Sequence, residues 1–277
     1  MLRSELLQAL DALWAALASL AVLTVMFVPL ERVFPARHQR ILRPALGLDL
    51  CFFFGQYLVW NALAIFIART ASAWIGGHLP EGPRAFFAAQ PFFVQAILVV
   101  LLGDLCVYWY HRACHGFDFL WRFHAVHHTS EHLDWVAAHR EHPVDGVLTQ
   151  LATNLPALLL GFSPRALAGF IVFRGAWAIF IHSNVRLPLG PLKWLLGAPE
   201  LHHFHHARLE RTSHNFANVA PLLDVIFGTH HCPKEDETYD LGVPFAAPKS
   251  YLGLLLAPFL PASESASAET SSASRTP

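Results

Sequence analysis

A chain of 277 residues that is 54% hydrophobic and only 14% charged falls well below the roughly 25% charge of soluble domains, which argues for a membrane protein. Its formal net charge of −1 gives nucleic acid or another polyanion no basic surface to bind. Cys51, Cys106, Cys114 and Cys232 form no CxxC pair and no disulfide framework, and the chain has neither a GxGxxG nor a P-loop.

The first apolar run, Ala12 to Val33, exceeds the about 20 residues needed to cross a bilayer and lacks the short core and cleavage site of a signal peptide. A basic loop, ARHQRILR, follows. The second run is Leu46 to Ala68, ended by the turn-rich AWIGGHLPEGP. The third, Pro91 to Tyr110, passes directly into the first histidines. A weaker pair, Val144 to Phe162 and Arg165 to Ile181, is split by the breaker Gly161–Pro164 and predicts a hairpin that dips into the membrane or crosses it. Arg174 in its second arm needs a partner or a watery face, because an isolated charge in a membrane costs about 2.5–3.5 kcal/mol or more. From about Ala262 the Ser/Ala-rich ASESASAETSSASRTP predicts a disordered tail.

These segments predict an all-α, multi-span transmembrane bundle of about three full spans plus the hairpin, with a cytoplasmic histidine-rich helical cap. Residues 1–90 read as N-terminal membrane helices, 91–260 as the catalytic region and 261–277 as tail. The side follows from Arg37, Arg40 and Arg43, since short positive loops tend to be cytoplasmic, and three spans bring every histidine cluster back to the same face.

Of 18 histidines, all but His38 and His78 lie between His111 and His231. In DLCVYWYHRACH, Asp104, Tyr108, His111 and His115 share one helical face, so the two histidines can ligate one metal or bracket two, with Asp104 behind them accepting a histidine N–H. HAVHH sets His124 one turn from His127 and His128, so that all three can converge. HHFHH repeats the spacing through His202, His205 and His206. His182, isolated at the end of an apolar run, supplies a ninth candidate. His38, His78 and His132 read as surface residues. So many imidazoles exceed one zinc, which takes about four ligands, and suit two metals with an open position. Imidazole accommodates iron, copper, nickel and zinc alike.

At these residues the chain resembles the fatty acid hydroxylase/sterol desaturase superfamily of integral membrane di-iron enzymes. The likeness runs through DLCVYWYHRACH, WRFHAVHH, REHPVD, FIHSNVRLP and APELHHFHHARLERTSHNFANVAPLLDVIFGTHH, about residues 98 to 233. It implies two non-haem irons on His111, His115, His124, His127, His128, His182, His202, His205 and His206. His142 is a further possible ligand or a residue behind the ligands, and Asp104 stands behind the metal centre. His203 and His214 match no ligand position, and His203 reads as solvent-facing or behind the ligands. Two departures, Asn215-Phe216-Ala217 where the family often has Tyr–Gly after the asparagine, and Leu223-Asp224 where it often has Trp–Asp, bear on the substrate pocket. The implied activity is O2-dependent hydroxylation or desaturation of a lipid drawn from the bilayer. With no dinucleotide or haem motif in the chain, electrons are expected from a ferredoxin or a cytochrome with its reductase. The rival readings are a membrane metal-binding or transport protein, a bis-histidine haem protein, and a zinc-dependent hydrolase.

Overall fold

Apolar length shapes the first half of the chain. The structure, a computed structural model, describes residues 2–234 and 237–260; the expected disordered tail lies outside the described residues. Helix α1 spans Leu2–Val33. Helix α2 (Leu46–Gly55) continues through a π-helical turn at Gln56–Trp60 into α3 (Asn61–Gly76). After the short α4 (Glu81–Ala88), α5 (Phe92–Gly116) runs past the expected end of the third span, and α6 (Asp118–His128) carries the second histidine motif. Then come α7 (Pro143–Leu159), α8 (Pro164–His182), α9 (Pro199–His205), α10 (Leu222–Ile226) and α11 (Tyr251–Leu256). Among the described residues there is no strand, only two isolated bridges.

Four stretches are long and apolar enough to cross a membrane: Leu7–Val33, Leu46–Gly76, Phe92–Gly116 and Arg165–His182. The second arm of the expected hairpin is thus a candidate span in its own right. Its first arm, α7, has 17 residues with Pro156 inside and is too short to be one. The 31 residues of Leu46–Gly76 extend about 46 Å against about 30 Å of hydrocarbon, so this rod tilts or projects beyond the core. Trp14, Val25 and Val172 are more than two-thirds exposed, as suits side chains that meet lipid rather than water.

The α7–α8 hairpin is specified locally. Gly161 adopts φ +81°, a left-handed conformation that glycine takes at little cost. Its N–H reaches Leu158 O at 3.1 Å and the Phe162 N–H reaches Ala157 O at 3.3 Å, closing a Schellman turn. Ser163 then caps α8, its Oγ accepting from Ala166 N at 3.3 Å, with Pro164 at the first helical position. Val99, Ala157, Phe162, Leu167 and Phe170 form the core between α5, α7 and α8. Gly103 lets α5 approach α8 closely, since a Cβ there would strike the Phe170 ring.

Helices α1 to α3 pack onto the histidine-bearing half. Phe27 stacks on Trp135 with ring centroids 6.4 Å apart. Arg43 is buried, donating to Asp134 at 2.6 Å and to Asp49 at 2.7 Å, while Asp49 also pairs with Arg140 at 2.5 Å. Arg43 is therefore not a free loop charge. The backbone of Ala36 and Arg37 bonds Asn184, two residues after His182, so the Arg37–Arg43 loop and the histidines share one end of the bundle.

Candidate metal centre

All nine histidines singled out from the sequence meet at that end, in two adjoining groups. His111, His115, His124, His128 and His205 form one; His127, His182, His202 and His206 form the other. Within each group one ring nitrogen per residue lies within 4.8 Å of the rest. The groups adjoin, with the His128 and His206 rings stacked at 4.3 Å.

The HxxHH triplets do not converge as triplets, contrary to expectation. At 100° per residue, positions i and i+4 lie 40° apart, while i+3 falls 60° to the other side of i. In α6, His124 and His128 therefore turn to the first group and His127 to the second. At α9 the assignment is reversed: His202 and His206 serve the second group and His205 the first.

Outward hydrogen bonds orient the rings. His111 Nδ1 donates to Phe216 O at 2.9 Å, His127 Nδ1 to Arg140 O at 2.9 Å, His182 Nδ1 to Ala178 O at 2.6 Å and His205 Nδ1 to His214 O at 2.8 Å. A carbonyl only accepts, so each Nδ1 carries the proton and each Nε2 offers a lone pair inward. Burial pushes His127 and His203 down to about 4, and holds His128, His202, His205 and His206 well below the ordinary imidazole range, with neighbouring rings adding to the effect. These rings are neutral near pH 7, the form that ligates.

The arrangement fits metal ions. The Nε2 lone pairs of His127 and His182 face each other at 2.9 Å, and His202 Nε2 lies equally close to His182 Nε2. Facing lone pairs repel, and a cation between them removes the conflict; about 3 Å is the spacing of neighbouring nitrogens around one ion with bonds of about 2.1 Å. Among the described residues His111 Nε2, His205 Nε2 and both nitrogens of His115 are buried without a hydrogen-bond partner, a costly state for polar atoms unless something binds there.

The polar groups behind the histidines differ from expectation. Asp104 hydrogen-bonds no histidine among the described residues: its carboxylate accepts from Val219 N at 2.9 Å and Ala220 N at 2.7 Å, holding the loop after α9. The carboxylate behind a candidate ligand is Asp145 of α7, accepting from His124 Nδ1 at 2.8 Å and from the Tyr110 hydroxyl at 2.7 Å. Its place in REHPVD, three residues after His142, was the available signal. His142 itself lies outside both groups and caps α7: its Nδ1 accepts from Val144 N at 3.1 Å and its Nε2 donates to Leu255 O at 3.1 Å, so neither nitrogen is free. His203 is buried rather than solvent-facing, with Nε2 3.0 Å from Ser183 O. Asn215, at φ +59°, ties its loop to Leu201 O and to the backbone of His231. Asp224 accepts from Phe216 N at 2.8 Å and Ala217 N at 3.0 Å, which fixes the carbonyl that orients His111. Burial pushes the Asp224 carboxyl up to about 6 against these bonds.

A cavity of about 670 Å³ borders both groups, with His111, His124, His127, His182 and His202 on its wall. Its rim includes Val22 of α1 and Val172 of α8, both exposed on the apolar outer surface. Phe216 and Ala217, one departure from the family pattern, line it; Leu223 instead packs near Tyr108.

Residues 96–229 match the family described as Fatty acid hydroxylase. Ornithine lipid hydroxylase OlsE of Rhizobium tropici is 30% identical over 174 residues, covering 61% of this chain and 51% of that protein. Alkylglycerol monooxygenase of Homo sapiens is 32% identical over 142 residues, 51% of this chain and 32% of its own length. The Delta(7)-sterol 5(6)-desaturase ERG3A of Gibberella zeae is 27% identical over 160 residues, 56% of this chain and 42% of its own length. The chain thus spans about half or less of these curated relatives. No solved structure matches the chain.

Proposed function

The chain belongs to the fatty acid hydroxylase/sterol desaturase superfamily, and from that premise we propose that it is a membrane-bound oxygenase that hydroxylates or desaturates a C–H bond of a lipid. It would use dioxygen and electrons from a separate donor, a ferredoxin or a cytochrome with its reductase. The observation that carries this reading is the pair of adjoining histidine groups bordering one cavity whose rim reaches the lipid-facing surface. The family points to iron, and the donor set is compatible with it.

His111, His115, His124, His128 and His205 would hold one iron, and His127, His182, His202 and His206 the other. When bound, the two irons supply the redox chemistry that activates dioxygen and breaks an unactivated C–H bond. The protein's own work is positional. The carbonyls of residues 140, 178, 214 and 216 hold four rings with Nε2 inward, and Asp145 holds a fifth. Burial excludes water and keeps the imidazoles neutral. An apolar substrate enters between α1 and α8 without leaving the bilayer. The shared end of the Arg37–Arg43 loop and the histidines favours a cytoplasmic site.

Metal analysis of the purified full chain tests the assignment: about two irons per chain is the expected result, and one zinc or a Soret band overturns it. His127→Ala should abolish O2-dependent product while membrane insertion persists; retained turnover would remove His127 from the ligands.

A further inference from the structure

The cavity beneath the histidines is not a plain hydrocarbon tunnel. Its rim is apolar, but its interior wall carries Asn61, Glu141, Gln150, Asn154, Arg174 and Asn218. Arg174 stands mid-way along α8, a candidate membrane span, two turns before His182, or about 12 Å of helix axis. Among the described residues no carboxylate forms an ion pair with it. Its Nε is buried and has no hydrogen-bond partner among them. Glu141, on the same wall, instead accepts from the Thr149 hydroxyl at 3.5 Å. A guanidinium at membrane depth is costly; Glu141 and Asp104 act on it as opposing charges without an ion-pair contact, and an anion reaching it from the cavity offsets more of that cost.

Resting on the oxygenase reading above, we infer that Arg174 is a specificity-determining residue that receives an anionic group, carboxylate or phosphate, of a lipid head. The head occupies the polar interior and the acyl chains leave between Val22 and Val172 into the bilayer. Oxidation then falls on the part of the lipid near its head, within the about 12 Å that separates Arg174 from His182 along the helix.

Equilibrium binding of three probes to the full chain in nanodiscs tests this, using palmitate, lysophosphatidate and hexadecanol, with iron content measured on the same samples. The wild type should bind at least one anionic probe about tenfold or more tightly than hexadecanol. The stronger of palmitate and lysophosphatidate identifies the anion as carboxylate or phosphate. Arg174→Gln should remove the preference while leaving hexadecanol binding and iron content unchanged, and Arg174→Lys should restore part of it. Equal binding of all three probes by the wild type overturns the assignment without any variant. So does an Arg174→Gln protein that keeps the preference, or one whose binding of every probe falls alike and is rescued by Glu141→Gln, which would mark a structural pairing. Loss of iron in the wild type would instead remove the oxygenase reading, and so the two failures are distinguishable.

Discussion

The carboxylate of Asp145 accepts the Nδ1 proton of His124 at 2.8 Å, while its second oxygen takes the Tyr110 hydroxyl at 2.7 Å. A carboxylate behind a metal-binding imidazole fixes the tautomer and raises the basicity of the inward nitrogen. Asp145→Asn should weaken metal affinity about 10- to 100-fold, because the amide can present its NH2 to His124 and reverse the tautomer. Competition with a chelator of known affinity measures the change; unaltered affinity would assign Asp145 a role in packing only.

Asp104 should matter for the fold more than for the metals. Asp104→Ala strands the buried N–H groups of Val219 and Ala220, at about 1–3 kcal/mol each. A lower melting temperature in detergent, with iron occupancy of the folded fraction unchanged, is the expected outcome. Occupancy lost at constant melting temperature would return Asp104 to the metal centre.

The Arg43 network joins α2 to the segment whose carbonyl orients His127. Arg43→Leu leaves Asp134 buried without its cation, a change that typically costs about 3–5 kcal/mol. Arg37→Leu removes a half-buried cation whose bond is to Tyr239 O, at 3.0 Å, and should cost much less. Thermal unfolding of both variants in one detergent decides, and equal losses would show that the network contributes nothing beyond a surface contact.

Acid should destabilise the metal-free protein in a defined window. His127 titrates near 4 when folded and near 6.5 when unfolded. Between these values the unfolded chain binds more protons, so stability is full above about 6.5 and falls as pH drops towards 4. For His127 alone the loss approaches about 3 kcal/mol. Melting curves of metal-free protein at pH 7.5, 6 and 5 should fall in that order; a flat series would mean that these rings are not held neutral.

Much of the site was legible because helical spacing is local. The histidine motifs, the first three apolar runs and the Gly161 break are each defined by residues close in sequence, although the second helical stretch runs on from Ala68 to Gly76 and the third from Tyr110 to Gly116. The five-and-four division was not legible, since which ring of HxxHH faces which neighbour depends on how α6 and α9 are rolled against α5 and α8. Asp104 was placed behind the histidines because it shares a face with His111. Two free backbone N–H groups from a loop 115 residues away hold it instead. Asp145 was missed for the converse reason: it reaches His124 from a different helix.

Four of the rings take their orientation from main-chain carbonyls, at Arg140, Ala178, His214 and Phe216. Every residue type supplies that oxygen. The side chains of Ala178, His214 and Phe216 can therefore vary without disturbing the ligand frame, provided the backbone keeps its path, whereas that of Arg140 is held by its pairing with buried Asp49. Phe216-Ala217 can consequently reshape the cavity wall while the same Phe216 holds His111 in place. The cavity wall and the orientation of His111 can therefore change independently at a single residue, and among the described residues Asp145 alone ties a candidate ligand's orientation to one particular carboxylate side chain.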